Sequence, residues 1–315
     1  MKQAGIVIEM ENGRVKETSL GMITLAGRTA DSLTAMVMSG ITDDIADHLS
    51  EYGVHTIVDL SLPDAPEIRR NPAVQATAVV HAARELELDR ILGLSSPEGK
   101  DLLPRVAALL DAPLIMDCVD ADLKTGTATT SQYSGKMMAK IQLTGKILMF
   151  GIRPNAVLPE SKPVPAKTVA MTMDAVVPEN ISLQSWDEAD TEGRQSLVEA
   201  DIIIAGGRGL KNKKNFSLIF DCAEKLNAAP AASRVAVDEG WVPYAFQVGQ
   251  TGEKVSPQVY IACGISGSIQ HFAGMKTAKM IIAVNKDENT AMMANCDYQV
   301  QGDLFDILTE IMRQL

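Results

Sequence analysis

Along the first half of the chain, short β-branched runs alternate with segments long enough for a helix, and that rhythm admits few folds. The runs are Gly5-Ile6-Val7-Ile8, Thr34-Ala35-Met36-Val37-Met38, Thr56-Ile57-Val58-Asp59 and Arg90-Ile91-Leu92-Gly93. Between them, residues 42–52 and 72–86 carry apolar side chains at helical spacing, and Asn71-Pro72 opens the second of these in the way a helix start requires. Strands separated by a helix return parallel rather than as a hairpin, so the alternation predicts an α/β layer with a mainly parallel sheet. Residues 136–143, 146–150 and 168–174 read as further strands of the same domain, because Met, Ile, Leu and Val recur there.

At 315 residues the chain exceeds one typical hydrophobic core, which favours two domains. The break is expected at 185–199, where Asp187, Glu188, Asp190, Glu192 and Gly193 precede the abrupt apolar strand Ile202-Ile203-Ile204. The Pro-rich stretch 154–165 is read as a loop inside the first domain, since strand-like residues follow it. This divides the chain into an N-terminal parallel-sheet α/β domain, residues 1–190, and a C-terminal domain, residues 191–315. The latter reads as strand 202–205, glycine loop, helix 216–226, strand 233–237, a long loop, strand 259–262, a helix from Ser268 and strand 280–285, which is a doubly wound sheet.

Composition removes several classes of function. A hydrophobic fraction of 46% with 22% charged residues lies far from the regime of disorder, so the chain is expected to fold. A net charge of −11 repels nucleic-acid backbones and anionic lipid. No apolar run approaches the roughly 20 residues of a membrane helix, and Met1-Lys2-Gln3-Ala4-Gly5-Ile6-Val7-Ile8 lacks the pattern of a signal peptide, so no membrane insertion is expected and the chain reads as cytoplasmic. Cys118, Cys222, Cys263 and Cys296 are too far apart for a CxxC site and are expected as buried free thiols. His48, His55, His81 and His271 show no HxxH or HExxH spacing, so no metal site is indicated.

The chemistry gathers at the ends of the second domain's strands. Gly206-Gly207-Arg208-Gly209, Val248-Gly249-Gln250-Thr251-Gly252 and Gly264-Ile265-Ser266-Gly267-Ser268 are glycine-containing turns, where backbone N–H groups can approach a phosphate. None completes GxGxxG, and spacing alone leaves a nucleotide site and a set of tight turns both open. Arg208, Ser233, Arg234, Gln250, Thr251, Ser266, Gln270 and His271 all fall at or near those strand ends, where open α/β sheets bind ligands. His271, read alone, suits a partly exposed surface position equally well. No Ser-His-Asp or paired-carboxylate spacing is present, so no catalytic residue is named.

Taken together, residues 201–305 resemble the C-terminal domain of electron transfer flavoprotein α subunits. The matching strings are Gly206-Gly207-Arg208-Gly209-Leu210, Ala232-Ser233-Arg234 with Val237-Asp238, Gln247-Val248-Gly249-Gln250-Thr251-Gly252, Gly264-Ile265-Ser266-Gly267-Ser268-Ile269-Gln270-His271 with Ala273-Gly274-Met275, Asn285-Lys286-Asp287, Asp297-Tyr298 and Gly302-Asp303-Leu304-Phe305, in the family's order. The first half resembles the family more loosely, through 133–139 and Arg153-Pro154-Asn155. Glu288 stands where the family usually has proline after Asn-Lys-Asp, a change in a loop.

The resemblance implies FAD bound by Arg208, Ser233, Arg234, Val248, Gly249, Gln250, Thr251, Ser266, Gly267, Ser268, Ile269, Gln270, His271, Asn285, Asp303 and Leu304. It further implies that His271 and Arg234 face the flavin's N1 and O2 region, that Thr251 offers its hydroxyl to N5, and that Asn285 and Asp303 hold the ADP half. An electron carrier must stabilise charge that gathers on its flavin, which suits cationic or donor groups at those positions. The implied partners are a β subunit, flavin dehydrogenases such as acyl-CoA dehydrogenases, and a quinone-linked or other acceptor. Three rival readings stay open at this point: the α subunit of a bifurcating electron transfer flavoprotein, a non-redox adenine-nucleotide-binding module, and an NAD-dependent dehydrogenase. The last is disfavoured by the missing GxGxxG.

Overall fold

The computed structural model describes residues 3–60, 62, 63, 65, 68, 70–133, 137–172, 184, 185 and 196–314. The chain forms two compact units, one of residues 1–130 with 139–189 and the other of 131–138 with 190–315. The boundary read from the sequence, and most of its proposed linker, lie outside the described residues, as does the end of the strand expected at 168–174.

Up to residue 170 the strands are β1 (Gln3–Val7), the small hairpin β2 (Met10–Glu11) and β3 (Arg14–Val15), β4 (Ser32–Val37), β5 (Thr56–Asp59), β6 (Arg90–Leu94), β7 (Leu114–Asp122), β8 (Thr127–Gln132), β9 (Met137–Gln142), β10 (Leu148–Ile152) and β11 (Lys167–Ala170). Apart from the hairpin they form one sheet in the order β11-β5-β4-β1-β6-β10-β7-β8-β9. From β11 to β7 each pairing is parallel, and β8 then returns antiparallel on β7. The parallel strands are buried on both faces, as in Leu148–Ile152, because helices cover them.

Local chemistry sets those helices. Asn71 Oδ1 accepts from the backbone N–H groups of Ala73 and Val74, and Pro72 needs no partner at the first helical position, so Pro72–Glu85 starts where the sequence indicated. Thr42 caps Asp43–Glu51 in the same manner. The sequence reading passes over the helices Glu17–Gly27 and Pro97–Leu110. In the first, every side chain from Thr18 to Ala26 is buried, so its sequence carries no polar stripe to mark a helical period.

In the second unit β12 (Ile202–Gly206), β13 (Ala229–Ala232), β14 (Val259–Cys263), β15 (Met280–Asn285) and β16 (Tyr298–Gln301) form a wholly parallel sheet in the order β13-β12-β14-β15-β16. This is the doubly wound arrangement that the sequence predicts, with one element displaced. Ala229–Ala232 is the strand and Arg234–Asp238 is a short helix, whereas the β-branched Val235 and Val237 suggested a strand over 233–237. Burial of all four residues outweighs the weak strand propensity of alanine, and Pro230 is tolerated because β13 lies at the sheet edge. Among the described residues no helix is long and apolar enough to cross a membrane. Cys118, Cys222 and Cys263 are buried free thiols as expected, but Cys296 is only half-buried.

Candidate functional site

From β12 the chain crosses first to β13 on one side and later to β14 on the other, so the carboxyl ends of β12 and β14 open onto a crevice that no connection covers. A cavity of about 460 Å³ lies at this point. The turn after β12 contributes Arg208, and the turn after β13 contributes Ser233, Arg234, Val235 and Asp238. The loop 247–251 forms another wall, and the turn after β14 closes it with Ile265, Ser266, Gly267, Ser268, Gln270 and His271.

Close backbone approach holds these turns together. Gly207 N–H donates to the Cys263 carbonyl at 2.9 Å and Gly209 N–H to that of Gly264 at 3.0 Å, which laces the first turn to the third. Gly267 adopts φ +78°, a conformation that lets the chain turn into the helix Ile269–Met275, whose N-terminus Ser268 caps through the His271 N–H at 3.3 Å. The loop 247–252 lies directly on that helix: Gln250 N–H donates to the Gln270 carbonyl at 2.8 Å, and a Cβ on Gly274 would meet Gly249 N at 2.4 Å. Only glycine permits that approach.

The polar groups are unevenly satisfied. Ser233 is buried, yet its Oγ has no hydrogen-bond partner among the described residues. A buried hydroxyl without a partner is costly, so one facing a cavity marks a place for a ligand acceptor or donor. Arg234 Nε reaches Asp238 Oδ2 at 3.2 Å across one helical turn, so its charge in the cavity is shared with a carboxylate. His271 is 5% exposed, not the surface histidine its sequence position equally allowed. Burial lowers its pKa to about 4, so the ring is neutral at neutral pH. Its Nε2 lies 3.0 Å from the Tyr260 hydroxyl.

All the residues that the sequence nominates line this cavity except Ile269, Asn285, Asp303 and Leu304. Ile269 is exposed on the first turn of the helix. Asn285 ends β15, donating from Nδ2 to the Ile265 carbonyl at 3.2 Å and accepting from Asp287 N–H. Asp303 pairs with Lys286 at 2.6 Å, a hydrogen bond that holds its carboxyl below the usual range. Leu304 is a core residue whose methyl group packs beside Gly209 and Gly264. The structure adds Val235, Asp238, Gln247 and Ile265 to the wall. Asp238 stands in a matching string, but a strand over 233–237 would not bring it beside Arg234, whereas a helix does. Gln247 belongs to a matching string and was detectable there.

The first unit offers a smaller cavity, about 180 Å³, at the carboxyl ends of β1 and β6. Here the Glu9 carboxyl already stands at the N-terminus of the helix Pro97–Leu110 and accepts from the Ser96 hydroxyl. A buried acid in that position opposes a phosphate, so the second unit carries the candidate site.

Two family models match the chain. Residues 4–178 match the family model described as the electron transfer flavoprotein domain, and residues 196–276 match that described as the electron transfer flavoprotein FAD-binding domain. The chain is 33% identical to the electron transfer flavoprotein subunit alpha of Bacillus subtilis, over 100% of this chain and 98% of that one. It is 32% identical to a probable mitochondrial electron transfer flavoprotein subunit alpha of Caenorhabditis elegans, over 97% and 91%. With the electron transfer flavoprotein subunit alpha of Pseudomonas aeruginosa it shares 40% identity, over 70% and 71%.

Proposed function

The chain belongs to the electron transfer flavoprotein family as an α subunit, and from that premise we propose that the cavity at the β12 and β14 strand ends holds FAD and that the protein relays electrons from flavin dehydrogenases to an acceptor while paired with a β subunit. The observation that carries the site assignment is the Ser233 hydroxyl, buried, unpartnered among the described residues and set in a wall of glycine turns. The residues present fit the cofactor. Arg208 supplies a guanidinium for an anionic group, and the backbone of 266–268 supplies donors beside a helix N-terminus.

FAD, when bound, supplies the one- and two-electron chemistry that no side chain of this site offers. The protein's part is to bind and orient the ring and to exclude water from it. Asn285, at the carboxyl end of β15, and Asp303, just past β16, lie beyond the cavity lining and are assigned to the ADP half. The protein is a carrier rather than a catalyst of substrate turnover.

Purification with a co-expressed β subunit, followed by an absorbance spectrum and a flavin count, tests this reading. Flavin bands and a stable heterodimer are expected. A well-folded chain free of flavin, or one that holds flavin and ignores the β subunit, overturns the corresponding half of the proposal.

A further inference from the structure

Tyr260 lies in the middle of the second unit's sheet, on β14, and is completely buried. A phenol in that position needs a partner for its hydroxyl, and the partner is His271 Nε2 at 3.0 Å, with the two rings meeting edge-on at 6.0 Å between centroids. His271 in turn lines the cavity. Tyr260 touches no part of that cavity, yet its hydroxyl reaches the histidine from behind.

The proton positions follow from the partners. The buried Tyr260 O–H must find an acceptor, and Nε2 is the one within reach, so the single N–H of a neutral imidazole sits on Nδ1. Burial holds the Tyr260 phenol well above its ordinary value, so it keeps its proton and donates. Nε2 is thereby committed to the protein, and any donation from that nitrogen to a bound flavin requires the Tyr260 hydrogen bond to change.

We propose that Tyr260 is a positioning residue for the cofactor cavity, fixing the tautomer and the ring plane of His271 through the hydroxyl that it delivers from the core of the sheet. The proposal rests on the FAD reading of the site for its consequence and on the chain's own geometry for its mechanism. Tyr260→Phe removes one oxygen and keeps the ring that fills the sheet's core, so the fold is preserved while the tautomer loses its anchor.

The test has two arms on the full-length protein. In the first, histidine labelled with ¹⁵N is observed by NMR without added flavin, and the His271 signals are identified by their loss in His271→Ala. Signals of an Nδ1–H tautomer with a hydrogen-bonded Nε2 are expected in the parent, and displaced Nε2 signals in Tyr260→Phe. Unchanged ring signals overturn the proposal, whether or not flavin binds. In the second arm, FAD dissociation is measured for the parent, both single variants and the double variant. Tyr260→Phe is expected to weaken FAD about 2- to 10-fold, the effect of one neutral hydrogen bond, and to have no further effect in the His271→Ala background. An equal loss in both backgrounds means that Tyr260 acts only as packing and overturns the proposal. Failure of every variant and the parent to bind FAD would refute the function proposed above and leave the NMR arm to decide this one.

Discussion

Gln247 Nε2 lies 3.0 Å from Thr251 Oγ1, a geometry in which the amide can only donate, so the hydroxyl hydrogen of Thr251 is left to point elsewhere. Gln247 is buried and Thr251 exposed, with both in the cavity wall. The Tyr244 hydroxyl also donates to the Thr251 carbonyl, so the loop tip is held at two atoms. A buried residue therefore makes the threonine a donor toward whatever the cavity holds.

Replacing Gln247 with Met keeps the length of the side chain and removes that donor. The Thr251 hydroxyl then loses its preferred direction, and FAD retention is expected to fall about 2- to 10-fold, the equivalent of about 0.5–1.5 kcal/mol. Equilibrium dialysis against free FAD measures it. Retention equal to the parent's, in an experiment where Thr251→Val does weaken binding, would show that Gln247 does not orient Thr251.

Ser233→Ala separates the stability of the empty chain from its affinity for the cofactor. Removing a buried hydroxyl that lacks a partner among the described residues costs the unliganded fold nothing and is expected to stabilise it by about 1 kcal/mol. If that hydroxyl meets FAD, the same change weakens binding by a similar amount. Urea unfolding of the flavin-free protein and FAD titration should thus move in opposite directions, and a loss in both would place Ser233 in the protein's own framework.

His271 makes stability depend on pH in a defined window. Its folded-state pKa, lowered to about 4, lies below the ordinary value of 6.5, so the unfolded chain takes up the proton first. The contribution is complete above about pH 6.5 and is lost as pH falls toward 4; this gap is equivalent to roughly 3 kcal/mol. Unfolding free energies measured across this range should fall less steeply for His271→Gln than for the parent. Parallel profiles would mean that the ring takes up its proton at the same pH in the folded and the unfolded chain.

In the first unit, Arg153 and Asp117 form a two-pronged ion pair, with Nε to Oδ1 and Nη2 to Oδ2 both at 2.7 Å. Arg153 is almost wholly buried, and Asp117 is held with φ +62° beside it. Arg153→Leu would remove both of these bonds from a largely buried carboxylate, and about 3–5 kcal/mol of stability should be lost. Chemical denaturation reads this directly; a loss below about 1 kcal/mol would assign the pair the weight of a surface contact.

The chain's order of residues determined the class of fold and the neighbourhood of the site, because both rest on local chemistry. Alternating strands and helices force parallel pairing, and glycine turns at strand ends mark where a crevice opens, so Arg208, the 248–251 loop and the 266–271 turn were nameable without coordinates. Ala229–Ala232 was not legible as a strand, since its alanines become strand-like only when packed on β12, and Glu17–Gly27 was hidden by burial on every side. Tertiary structure alone decided which polar atoms meet. Tyr260 and His271 come from a strand and a helix, the Ser233 hydroxyl faces a cavity instead of a partner, and Leu304 packs on two distant glycines. Hydrogen bonding and burial are properties of atoms within a few ångströms of one another, and the crossings that bring these atoms together are set by the packing of the whole sheet rather than by any local run of residues.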